Sequence, residues 1–202
     1  MAIRTANNQS LTEITTLPSA VSVGSLVLLA TETASTSATI SFTSGIDSTY
    51  DEYIFKFITL HPSAAAHANF NMNFSIDGGS NWNVTKTTTL FRTYHAEDNS
   101  AAALLYQTEF DLAQATGDQM LYAYGAGDTA DLCWGGYMHL FAPSDTTFVK
   151  QFFSEISGTD GNYEHHHFSS GYGNTTSAID GAIFRMSSGT IDAGQISLFG
   201  IS

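Results

Sequence analysis

The stretch ISFTSGIDSTYDEYIFKFITLHP, residues 40–62, reads as strand, turn, strand. Ile40-Ser41-Phe42 is short and apolar, and residues 43–49 hold Gly45, Asp47 and Ser48, side chains that favour turns. Residues 50–61 then run without Gly or Pro and are dense in Tyr, Phe and Ile, which suit a pleated surface. Alternation places Tyr53, Phe55 and Phe57 on one face, and Ile54, Ile58 and Leu60 beside Glu52 and Lys56 on the other. Both faces are largely apolar, whereas a two-layer sandwich leaves one face of each sheet wet. At roughly 25 cal/mol per Å², exposing Ile54, Ile58 and Leu60 would forgo several kcal/mol. The expectation is that the N-terminal arm or a second subunit covers them.

Outward from this centre the pattern repeats. Residues 70–76, FNMNFSI, alternate with apolar side chains on the even positions, the mark of a half-buried strand. Residues 84–94 are Thr-rich, with Thr85, Thr87, Thr89 and Thr93 sharing a face with Phe91, and read as an exposed or edge strand. Leu104 to Tyr106 can open a strand, residues 111–115 a helical turn, and residues 120–124 a short strand. Residues 132–141, 147–156, 163–172, 178–186 and 195–201 supply five more strands, separated by Gly/Asp/Ser/Pro turns. On residues 147–156, Phe148, Phe152 and Ile156 alternate, with Val149 near Phe153 on the other face, a second case for double coverage. Nine or ten short strands with no long helical pattern predict an all-β, jelly-roll-like antiparallel β-sandwich over residues 37–202. Residues 1–36 lack a firm period and are broken by Pro18 and Gly24. They read as an extended N-terminal arm whose Leu11, Ile14 and Leu17 join Ile54, Ile58 and Leu60 as interface residues.

The 202 residues suit one domain plus an arm, and 43% hydrophobic content is enough for a core. Charged residues make up only 12%, about half the usual share, so Ser, Thr, Asn and Gly carry the polar surface. The net charge is −13, and the six basic residues stand singly. Nucleic acid demands clustered cations, and anionic membranes repel such a chain, so neither is an expected partner. Residues 21–30, VSVGSLVLLA, lie too deep and lack the cationic lead of a signal peptide. They also fall short of the ~20 residues of a membrane span. Cys133 is the one cysteine, which excludes an internal disulfide and reads as a small core side chain.

Several residue groups invite chemistry. His165 and His167 share a strand face and form a weak metal candidate that needs a third ligand; no cofactor or resident metal is expected. Glu109 and Asp111, two apart, offer a carboxylate pair for a carbohydrate-active enzyme, but a chain with 19 acids offers such pairs by chance, and no nucleophile elbow, zinc or phosphate-loop motif accompanies them. The expectation is therefore not an enzyme. Trp82, Tyr94, Trp134, Tyr163 and Tyr172 lie near turns or strand ends, where aromatics make sugar platforms, and Trp82 and Trp134 are the leading glycan contacts. Ser75 to Trp82, SIDGGSNW, resembles the Asp-box of sialidases, in which the box is a structural turn.

The blocks ISFTSGIDSTYDEYIFKFITLHPS, FSIDGGSNWNVTKTT, HLFAPSDTTFVKQF, GYGNTTSAID and FRMSSGTIDAGQISLFGIS resemble a group of virion proteins of marine tailed bacteriophages. The resemblance runs from about residue 10 onward and implies a jelly-roll-like sandwich on the particle exterior, as a homotrimer. It implies a capsid decoration or cement protein, docked through its arm to the major capsid protein or another virion protein. The alternative is a head- or tail-fibre domain that recognises a host surface glycan. The group supplies no catalytic residues.

Overall fold

The computed structural model describes residues 26–63, 68–125, 129 and 131–201. In chain order, its strands are β1 (Val27–Thr33), β2 (Ile40–Phe42), β3 (Glu52–Pro62), β4 (Ala68–Ser75), β5 (Lys86–Ala96) and β6 (Ala102–Tyr106). After a 3-10 turn at Thr108–Phe110 come β7 (Gln119–Gly125), β8 (Trp134–Phe141), β9 (Lys150–Thr159), β10 (Tyr163–Gly173), β11 (Gly181–Met186) and β12 (Ile191–Ile201). They form two antiparallel sheets packed face to face, a β-sandwich. One has eight strands in the order β1-β12-β3-β8-β9-β10-β5-β6, and the other four in the order β2-β11-β4-β7.

The residues 40–62 stretch is not a hairpin. Strand β2 lies in the small sheet and β3 in the large one, so residues 43–51 carry the chain across the sandwich. That corner is pinned from inside. Ile46 is buried, and the Tyr53 hydroxyl accepts the Asp47 N–H at 2.9 Å. Between the sheets Phe55 and Phe57 of β3 meet Phe184 of β11 at 5.2 and 5.3 Å between ring centroids. Phe70 of β4 stacks on the same ring at 5.9 Å, and Phe42 of β2 meets it edge-on at 6.3 Å. Of the alternation read in residues 70–76, Phe70, Met72 and Phe74 are fully buried, but Ile76 lies past the end of β4 and is exposed, and Asn73 and Ser75 of the face read as wet are buried as well.

Leu60 departs from its expected face. Thr59 adopts φ 48°, and the β3–β8 register shifts between Phe57 and Leu60. This bulge inserts one residue and turns Leu60 into the core, where it is fully buried. Ile58 stays on the outer face, 47% exposed, with Ile54 half-buried on the same side. Gly194 of β12 lies against the bulge at φ 107°, and a Cβ there would sit 2.4 Å from the Thr59 carbonyl oxygen. Close approach and backbone sign both require glycine.

Residues 27–36 of the segment read as an arm belong to the sandwich. Strand β1 pairs along β12, Ala34 is buried, and Ser37 bridges Ile191. Leu11, Ile14 and Leu17 lie outside the described residues. Strand β5, read as exposed or edge, has its Thr face outward but sits between β10 and β6, so β6 is the edge. The helical turn forms earlier than residues 111–115, at Thr108–Phe110.

Phe184→Ala removes the ring shared by both sheets and is expected to cost about 3–5 kcal/mol, measured as a lowered urea midpoint. Gly194→Ala is expected to cost about 2 kcal/mol, although it adds apolar surface; a variant as stable as the parent would contradict the bulge geometry.

Candidate functional site

Strands β5 and β10 pair without interruption from Ala96 opposite Tyr163 to Lys86 opposite Gly173. Strand alternation points Leu90, Arg92 and Tyr94 of β5 inward, with His165, His167 and Ser169 of β10 beside them. Strand β7, the edge of the small sheet, packs Met120 and Ala123 on Leu90. Beyond that cover the inner face opens into a cleft of about 280 Å³, lined by Arg92, Tyr94, Ala101, Leu105, Asp160, Tyr163 and His165. A second cleft of about 430 Å³ adjoins it through Tyr163 and carries Glu97, Asp98, Ser100 and Asn162.

The floor is a fixed polar chain. Arg92 donates from Nη1 to His165 Nδ1 at 2.9 Å and from Nε to Gln107 Oε1 at 3.0 Å. Because a guanidinium only donates, His165 Nδ1 must accept, which leaves its proton on Nε2. That Nε2–H donates to Asp160 Oδ2 at 3.0 Å. The Asp160 Oδ1 accepts the Asn162 and Tyr163 backbone N–H groups at 3.1 and 2.9 Å, closing the β9–β10 turn. Burial raises the Asp160 pKa, but the hydrogen bonds from His165, Asn162 and Tyr163 outweigh it and hold the carboxyl below its ordinary value. Above this chain, the Arg92 guanidinium lies 5.2 Å from the Tyr94 ring centre, and Tyr163 meets Tyr94 edge-on at 5.7 Å.

The cleft thus joins Tyr94 and Tyr163, read as sugar platforms, to His165, read as a metal ligand. His165 is a poor ligand here, since both ring nitrogens already hold hydrogen bonds. His167 is buried against Tyr122, with ring centroids 4.7 Å apart, and does not face the cleft. Among the described residues no group of three or more His, Cys, Asp or Glu side chains converges to hold a metal ion. Trp134 is no glycan contact: it is 2% exposed and stacks on Tyr122 at 5.2 Å. Trp82 is half-buried over the Asp-box turn, against Gly79 and Gly181. The box itself is closed by Asp77 Oδ1, which accepts the Asn81 N–H at 2.8 Å, while Ser75 Oγ accepts the Gly79 N–H at 2.9 Å. Glu109 sits in the 3-10 turn while Tyr106 donates to Asp111, so the two carboxylates share no strand face. Cys133 is half-buried rather than a core side chain.

Arg92 and Asp160 were missed from sequence. The Thr face of β5 carried a signal for the first: if Thr87, Thr89 and Thr93 point out, Arg92 points in beside Tyr94. Asp160 had none, because its partners come from the turn it closes. No family model, curated protein or solved structure matches the chain.

Burial, reinforced by the positive charge near it, lowers the His167 pKa from 6.5 to about 3. The unfolded chain therefore takes up this proton first. Stability from His167 is complete above pH 6.5 and falls by about 1.4 kcal/mol per pH unit as pH drops towards 3. Urea melts between pH 7 and 4.5 are expected to show this slope, and His167→Phe is expected to flatten it.

Proposed function

We propose that this chain is a non-catalytic structural protein of a tailed-phage particle, a homotrimeric decoration protein on the capsid exterior. The particle setting and the jelly-roll-like trimer come from the resemblance of the quoted blocks. The outer face of the eight-stranded sheet is the one observation that supports assembly. From β3 to β6 that face presents Ile58, Phe153, Phe91, Leu104 and Tyr106, all exposed. Its rings are already ordered against one another: His139 stacks on Phe153 at 4.6 Å, and Phe168 lies between His166 at 4.4 Å and Phe91 at 4.9 Å. Fully burying a large apolar side chain is worth about 1.5–3 kcal/mol, so each of these partly exposed side chains gains a fraction of that when covered, and rings held in place lose little entropy on contact.

A second copy is the occupant this face fits. Glu52 contacts His139, and Glu155 lies 3.0 Å from His166 Nε2 and accepts the Tyr137 hydroxyl at 2.5 Å. Lys56 stands on the same face. Both charge signs are present within one patch, so its acidic part can face the basic part of a neighbouring copy head to tail, the heterologous contact that a closed three-membered ring requires. Residues 1–25 then serve to dock the trimer on the capsid.

A second reading, recognition of a host glycan, is favoured by the aromatic cleft on the opposite face of the same sheet. The two readings use different surfaces and are compatible.

Light scattering is expected to report a trimer, and Phe91→Asp with Leu104→Asp to shift it to monomer with the fold retained. Each copy carries −13, so raising salt to about 0.5 M should strengthen the trimer by screening. A monomer at every salt and protein concentration would remove the assembly reading. Deleting residues 1–25, which leaves β1 intact, is expected to abolish particle attachment while the trimer persists.

A further inference from the structure

We propose that the Tyr94–Tyr163 cleft binds a neutral pyranose sugar, with a second sugar ring in the adjoining cleft. This deepens the glycan-recognition reading and rests on it. A pyranose has an apolar C–H face and a rim of hydroxyls that both donate and accept. The cleft matches each part. Tyr94 and Tyr163 meet at 82°, so one ring can lie under a sugar face while the other closes its edge. Leu105 and Ala101 complete the apolar wall. Asp160 supplies a carboxylate acceptor, Arg92 a donor group, and the two phenols both functions.

The polar groups are held before any ligand arrives. His165, 3% exposed, ties Asp160 to Arg92, and Gln107, also buried, holds the Arg92 Nε. A preorganised set loses little on binding, which suits a shallow site where hydroxyls must displace water. The first cleft, about 280 Å³, matches one ring, and the second, about 430 Å³, continues past Tyr163 with Ser100, Asn162, Glu97 and Asp98. Charge selects the class. In the first cleft the Arg92 and Asp160 charges offset each other, while Glu97 and Asp98 line the second on a chain of net charge −13, so a sialylated or uronate sugar spanning both meets repulsion that a neutral sugar does not.

The test uses the full chain on an array of neutral, sialylated and uronate-containing glycans. Saturation-transfer NMR with glucose, galactose, mannose and N-acetylglucosamine accompanies it. Wild type is expected to bind neutral glycans. Tyr163→Ala and Tyr94→Ala should each weaken binding roughly tenfold or more, while Tyr163→Phe stays within a few-fold and Phe148→Ala, outside the cleft, is unchanged. Thermal melts check folding. If the alanine variants unfold, Leu105→Trp, on the exposed edge strand, fills the cleft mouth instead and should block binding. Wild type that binds no glycan overturns both this assignment and the glycan reading. Wild type that binds, with every folded variant binding equally, overturns the cleft alone. Binding confined to sialylated or uronate glycans overturns the neutral class.

Discussion

The Phe184 ring is the contact on which the sandwich depends. It stands on a strand of the small sheet and meets Phe55 and Phe57 of the large sheet within 5.3 Å. Phe42 and Phe70 pack on it from the two strands that flank its own in the small sheet. Five aromatic side chains from four strands therefore share one centre, and the two sheets have one relative placement that satisfies it. Packing of this density tolerates little displacement. Because β2 and β3 both feed the cluster, the corner at residues 43–51 must cross between sheets rather than fold back as a hairpin.

The same placement fixes what is left uncovered. Four strands cannot screen the inner face of eight. Where the small sheet covers the large one, Leu90 packs on Met120 and Ala123. Farther along β5 the inward side chains are Arg92 and Tyr94, and the inner face becomes a polar-floored cleft. Outward on the same strands stand Phe91 and Phe168. One pair of strands thus presents a hydrogen-bonding cleft on one side and an aromatic surface on the other. The period of two along a strand lets these surfaces vary independently.

At the opposite end of β5 and β10 the core is closed by charge. Lys86 and Lys150 flank Gly173 from neighbouring strands, and both are buried. Lys86 donates to Asn73 Oδ1 and the Val84 carbonyl, and Asn73 links on to Asp118, which holds Arg185. Burial brings the Lys86 pKa down to about 8, with Asp118 opposing the shift. A buried ammonium is tolerated only with such partners. Lys150 follows the same rule, donating to the carbonyls of Phe148 and Thr175.

Local pattern determined the strands. Residues 40–42 and the Phe70, Met72, Phe74 alternation were readable because side-chain period is a property of adjacent residues. The double apolarity of β3 was also legible, and Ile54 and Ile58 do lie on the outer face. Leu60 was not: one inserted residue at Thr59 reverses every later face, and the bulge exists only against β8 and Gly194 of β12. Trp134 looked like a strand-end platform, yet its ring lies between Phe70 and Tyr122, residues distant in sequence. In the cleft, Tyr94, Tyr163 and His165 were singled out separately, but their convergence with Arg92 and Asp160 depends on the β5–β10 register and on where the small sheet stops. Sequence determined which residues alternate; only the tertiary structure decided which face is inside, because that depends on pairing between segments far apart along the chain.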